Sequence, residues 1–189
     1  MRASTVARSL GVVLGLGALL GCASTGPKTD MGDIPDWYLS PPTDDSYIFA
    51  PATSTSRDMQ MAVNKAKAQA QTAIAGQLET KLGNLTKQFQ EEVGSGEDSE
   101  LLEQFTSATK IVVQQTLNGA RVDQQKLLTE KGIYRAYVLM SLPVGAANQA
   151  LMEKIKANQN LYTRFRASQA FEELNKELEA YKAEQQAQQ

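Results

Sequence analysis

Few residues in this chain are equipped for chemistry. It has 189 residues, no histidine and a single cysteine, Cys22. Without an imidazole, a serine or threonine nucleophile would need a lysine as its base, and no Ser-x-x-Lys stretch stands in a convincing context. One cysteine and no histidine leave neither a Cys/His metal site nor an internal disulfide. The densest group of acids is Glu91, Glu92, Glu97, Asp98 and Glu100, around Gly94 to Ser99. It lacks the D-x-[DN]-x-[DN]-G spacing of a calcium loop and reads as a solvated acidic loop. The carboxylates fall on predicted helix surfaces and loops, not in the facing pair that glycoside hydrolysis uses. A net charge of −2 gives no electrostatic footprint for nucleic acid. The expectation is a protein with no catalytic, cofactor-binding or metal site, and therefore not an enzyme.

Cys22 ends the chain's longest apolar run. Arg2 and Arg8 make a basic start, and Leu10 to Leu20 reads LGVVLGLGALL, eleven residues without a charge. That length suits the apolar region of a secretory signal and falls short of the about 20 residues that span a bilayer. The run closes in Leu19-Leu20-Gly21-Cys22, which resembles the bacterial lipobox. The resemblance implies cleavage between Gly21 and Cys22, diacylglycerol on the Cys22 thiol and a further acyl chain, such as palmitate, on the new amino group. The alternative is an ordinary secretory signal with Cys22 a free thiol. Ala23 stands where aspartate holds such lipoproteins in the inner membrane, which implies the outer membrane, on its periplasmic or its surface face. Removing residues 1–21 takes two of the 19 basic residues and none of the 21 acidic ones, leaving a charge of −4. Lipid is then the membrane device in view, because no polybasic patch accompanies it.

The elements that follow must hold whatever the anchor carries. Residues 22–33 are small, polar and interrupted by Gly and Pro, and read as a lipidated flexible tether. Pro35, Pro41 and Pro42 are expected to keep Ile34–Pro42 extended and out of any helix. Trp37, the one tryptophan, is expected to be an apolar plug that pins the start of the domain. Tyr47 to Ala50 reads as a short strand that lies at an edge or stops at Pro51, with Thr53–Ser56 a turn. From Asp58 to about Phe89, apolar residues recur at spacings of three and four: Met59, Val63, Ala66, Ala70, Ala73/Ile74, Leu78, Leu82, Leu85 and Phe89. This predicts a long helix whose alanine-rich first half lies close on a sheet. A second helix carries Leu101/Leu102, Phe105, Ala108 and Val112 on one side, and Ser99 is a candidate cap. Ala120–Glu130, Lys131-Gly132 and Ile133–Leu142 predict a β-hairpin whose second arm, apolar on both faces near its end, is central. Pro143 is expected to open the next helix at its first position.

From Val144 onward the pattern is helical. Leu151, Ile155, Leu161, Tyr162 and Phe165 share one face, fit to pack on the sheet. Phe171, Leu174, Leu178 and Tyr181 form a second stripe on almost the opposite side. No Gly or Pro interrupts Arg166–Ala170, so the expectation is a straight helix that offers this stripe to a partner helix. Docking onto the domain's own first or second helix is the alternative.

The lipobox, Pro35-Asp36-Trp37-Tyr38 and the strand followed by the Ala62/Ala66/Ala70/Ile74 helix resemble the family of twenty-kilodalton bacterial outer-membrane lipoproteins (Lpp-twenty). Flagellum-associated lipoproteins of the FlgP type are similar to that family too. The likeness covers about Ile34 to Leu142, and Ala50-Pro51-Ala52 replaces glycines often found there. The resemblance implies an α/β domain at the outer membrane and a structural or assembly role in the cell envelope, in a flagellar or surface complex. The expected architecture is of the α+β type: one strand plus a hairpin in a small antiparallel sheet, packed against long helices on one face. Its expected parts are a signal peptide (1–21), a tether (22–33), an α/β domain (34–165) and a helical C-terminal extension (166–189). Expected partners are the membrane through Cys22, and a second copy or other envelope proteins. A periplasmic module that binds a small ligand or a lipid is the alternative function.

Overall fold

The computed structural model describes residues 33–93 and 99–187. In chain order they form α1 (Asp36–Leu39), β1 (Tyr47–Ser56), α2 (Met59–Val93), α3 (Ser99–Thr116), β2 (Arg121–Glu130) and β3 (Ile133–Pro143). Then come α4 (Val144–Lys156), α5 (Gln159–Phe165) and α6 (Gln169–Ala187). The architecture is α+β, with a three-stranded antiparallel sheet of order β1-β3-β2 packed against helices.

The hairpin turn follows from two residues. Lys131 has φ 50° and Gly132 φ 77°, the left-handed pair that a two-residue hairpin turn needs and that Gly supplies without strain. β3 is central, as its two apolar faces require, and every residue from Ala136 to Leu142 is buried. Ala136, Val138, Met140 and Leu142 face the main core, together with Ile48, Ala50 and Ala52 of β1. The helix α2 lies across β1 and β3 on that face. Ala62, Ala66 and Ala70 are fully buried, so the expected close approach through small side chains is realised. Met59, expected on this face, is instead half exposed, and Ala62 takes its place. Asp58 stands just before the helix, its carboxylate accepting from the Met61 N–H at 2.7 Å.

Four local expectations are corrected. Of the two readings of Pro51 the edge holds and the stop does not: β1 runs ten residues to Ser56, paired with β3 throughout, and Thr53–Ser56 is strand rather than turn. An edge strand has a side without ladder bonds, so the missing proline N–H is tolerated there. Ile34–Pro42 is not wholly extended, since Asp36–Leu39 makes one helical turn. Pro35 sits just before it, φ −63° and ψ 138°, where it precedes the helix without breaking it, and its carbonyl accepts from Tyr38 at 3.0 Å. Pro143 ends β3 and caps α4 rather than opening it. The helices do not all lie on one face, because α1 packs on the opposite face of the sheet.

The largest correction is at the C-terminus. The expected straight helix is three helices, broken at Ala157–Asn158 and at Arg166–Ser168. Neither break uses Gly or Pro. Asn158 accepts from Asn160 and Leu161 N–H groups, both at 3.1 Å, and so caps α5. Ser168 Oγ accepts from the Phe171 N–H at 3.2 Å, and Glu92 of α2 receives the Gln169 N–H through both oxygens at 2.9 and 3.0 Å. The start of α6 is thus capped once by its own sequence and once from across the fold. Residues Asp33–Gln189 form one compact unit, so the segment from 166 is part of the domain rather than an extension of it.

The core joins these helices through aromatic rings. Phe89 of α2, Phe105 of α3 and Phe165 of α5 are all fully buried. Their centroids lie 5.0, 5.1 and 5.4 Å apart, and Phe171 of α6 stands edge-on to Phe165 at 5.7 Å. Leu151 and Ile155 are buried as expected, but α4 packs chiefly on α3 and α6 instead of the sheet.

Candidate functional site

The expected signal peptide, Gly21, Cys22 and all of the expected tether but Asp33 lie outside the described residues, as do residues 94–98 of the expected acidic loop. Trp37 and the stripe from Phe171 to Tyr181 are described, and the structure places them in two separate groups.

The stripe on α6 is inside the molecule. Leu174 and Leu178 are 2% and 5% exposed, and Phe171 and Tyr181 are partly buried. The partner helix they were expected to meet is the domain's own. The α6 helix packs on α2 and α4, with Tyr181 against Gly145, where a Cβ would strike the tyrosine. Polar contacts fix the same docking. Glu177 receives the buried Asn148 amide and pairs with Lys81 of α2 at 2.7 Å, and Ser46 donates to Glu184 at 2.7 Å. The Lys81–Glu177 pair is about one-third exposed and contributes no more than about 1 kcal/mol, so apolar burial of the two leucines carries the docking. Of the alternative in the sequence reading, docking onto the domain's own first or second long helix, the contact with α2 is observed, while α4, the other partner, belonged to the helix expected to run straight.

Trp37 belongs to the other group. It lies in α1 and is half-buried, so it is not the enclosed plug expected of it. In this segment Pro35 is buried, and Tyr38 meets the sheet edge-on at 5.0 Å from Tyr137. Tyr38, itself half-buried, is thus the ring of this segment that meets the sheet. Tyr137, Leu139 and Ser141 alternate with the core-facing residues of β3 and occupy the opposite sheet face, on which α1 packs at Tyr137. The same face carries Tyr47 and Phe49 of β1 and Arg121, Lys126 and Leu128 of β2. Lys126 Nζ donates to the Asp33 carbonyl at 2.8 Å, which ties the first described residue to this face. Leu39, at the end of α1, is 46% exposed, and Ile133 of β3 is 47% exposed.

Two further surfaces stand out. Strand β2 is an edge strand, and its first five residues are exposed. A bulge at Asp123 interrupts its pairing with β3. Between α2 and α3 runs a groove of roughly 600 Å³, lined by Leu82, Gly83, Thr86, Thr106, Thr109 and Val113 with Lys87 and Lys110 alongside. The three threonine hydroxyls donate to carbonyls of their own helices, at 2.8 to 2.9 Å. Their donor protons are spent there, which leaves them only as acceptors toward the groove.

For chemistry the arrangement offers little. Among the described residues no group of three or more His, Cys, Asp or Glu is placed to hold a metal ion. Ser107 and Lys110, in a Ser-x-x-Lys spacing, both lie exposed on α3. No described helix is long and apolar enough to cross a membrane. No protein-family model matches the chain, and no curated protein matches it.

Proposed function

We propose that this protein is a lipid-anchored outer-membrane lipoprotein with a structural or assembly role in the cell envelope. The observation that carries the anchor is Cys22, the one cysteine, set directly after an eleven-residue apolar run in Leu-Leu-Gly-Cys. A diacylglycerol and an amide-linked chain together bind firmly, since each buried CH₂ contributes about 0.8 kcal/mol. The assembly role is supported by β2, a ten-residue edge strand exposed over its first half. Such an edge accepts an added strand from a partner, whereas Pro51 interrupts the donors along β1. The resemblance to the Lpp-twenty family supports the same reading, including a place in a flagellar or surface complex.

Intact mass and fractionation test it. The membrane-extracted protein is expected to lack residues 1–21 and to carry acyl groups, and Cys22→Ser is expected to move to the soluble periplasmic fraction. A variant that stays membrane-bound with unchanged mass refutes the anchor. A photo-crosslinker at Gln125 is expected to capture a second copy or another envelope protein, and the absence of any adduct in intact cells refutes the assembly role at this edge.

The groove between α2 and α3 favours a second reading, a small-ligand or lipid-binding module. A fatty acid that stays bound in native mass spectra, and is lost on Gly83→Trp, would support it.

A further inference from the structure

We infer that the α1 face of the sheet is the surface that meets the bilayer, with Trp37 and Leu39 seated among the lipid headgroups. The inference rests on the anchor reading of Cys22 and names which side of the domain the anchor presents. Ten residues lie between Cys22 and Asp33. The chain from Cys22 to Asp33 reaches at most roughly 36–40 Å when fully extended. Asp33, the point from which the chain leaves the domain, is therefore kept within that reach of the lipid.

The departure point is fixed by two contacts. Lys126 holds the Asp33 carbonyl at 2.8 Å, and Tyr38 packs edge-on against Tyr137 at 5.0 Å. Lys126 and Tyr137 are register partners, so both contacts lie on one sheet face. The residues left on that face suit an interface. Trp37 is half-buried, Leu39 and Ile133 are close to half exposed, and Tyr47 and Phe49 are partly exposed beside each other, 6.0 Å between centroids. Tryptophan and tyrosine favour the headgroup level, where an apolar ring and a polar atom are both accommodated. The charged residues of this face are mixed in sign with no basic excess: Arg121, Lys126 and Arg135 stand among Asp33, Asp36 and Glu130 and, beside Tyr47 and Phe49, Asp44 and Asp123. The contact thus rests on the apolar side chains and is insensitive to salt, in contrast to a basic patch on anionic lipid. A short tether supplies a millimolar-range effective concentration, so a contact too weak to bind alone is populated.

The protein carries its own probe, because Trp37 is its only tryptophan. The mature acylated protein is placed in phosphatidylcholine vesicles, plain or brominated near the top of the acyl chains. Trp37 emission is expected to fall roughly by half in the brominated vesicles at both low and high salt, as the headgroup-level position requires. Leu39→Asp is expected to restore most of it while the protein still floats with the vesicles. Equal emission from acylated, vesicle-bound protein in both lipids overturns the inference and leaves the anchor standing. A protein without acyl groups on Cys22 overturns the anchor, and this inference with it.

Discussion

Three glycines sit in α-helices among the described residues, Gly76, Gly83 and Gly145, and the same substitution is expected to act with one sign at the first two and the opposite sign at the third. At Gly76 and Gly83 of α2, an added Cβ meets nothing within 4 Å. Alanine there keeps the helix and removes backbone freedom from the unfolded chain, so each change is expected to stabilise by about 0.5–1 kcal/mol. At Gly145 of α4, an added Cβ overlaps Cγ, Cδ2 and Cβ of Tyr181. Because the tyrosine Cβ is among the atoms struck, turning the ring gives no relief, and α6 must shift away from α4. Such overpacking costs about 1–3 kcal/mol, against a helix-propensity gain of at most about 1 kcal/mol. The expected net loss is about 1–2 kcal/mol. For a domain of this length that lowers Tm by about 3–6 °C, while Gly76→Ala and Gly83→Ala raise it by about 2–3 °C each. Thermal unfolding of the three variants, followed by circular dichroism, reads the signs directly. If Gly145→Ala raises Tm as the α2 variants do, α6 does not dock on α4 and the fold of the last twenty residues is misassigned.

Leu174→Ala is expected to cost about 2–5 kcal/mol by leaving a cavity between α6 and its own domain, with no change in oligomeric state by light scattering. A stable variant that loses self-association would instead return the stripe to a partner helix. Asn158→Ala removes the acceptor for two N–H groups at the start of α5 and is expected to cost about 1 kcal/mol in chemical denaturation. An unchanged midpoint would mean that solvent satisfies those groups equally well.

Much of the sheet and of its first helix was legible in the sequence, for local reasons. The α2 face is written in spacings of three and four, and its alanines announce a close neighbour. The Lys131-Gly132 pair between two apolar arms determines a tight hairpin, because few residues tolerate positive φ. The run of buried types from Ala136 to Leu142 demands cover on both sides, which only a central strand receives. Two caps were also legible and were passed over. Asn158 and Ser168 each stand directly before a helical stretch, where an N-cap belongs, and a reading led by Gly and Pro alone missed both. Likewise Pro51 left open an edge or a stop, and the sheet order decides for the edge, where a proline is accommodated.

What the sequence determined by itself is therefore what a few neighbouring residues suffice to enforce: helical faces, the hairpin turn, the caps, and the Leu-Leu-Gly-Cys segment on which the anchor reading stands. What only the tertiary structure decided is which partner each face meets. Nothing within Phe171–Tyr181 distinguishes a helix of a second copy from the domain's own α2 and α4, since apolar burial carries no direction. The choice was made by residues distant in sequence: Glu92 capping Gln169, Lys81 and Asn148 holding Glu177, and Gly145 leaving room for Tyr181. For the same reason Tyr38, not Trp37, became the ring that closes on the sheet. Its neighbour Tyr137 lies 99 positions along the chain, and only folding brings the two to 5.0 Å.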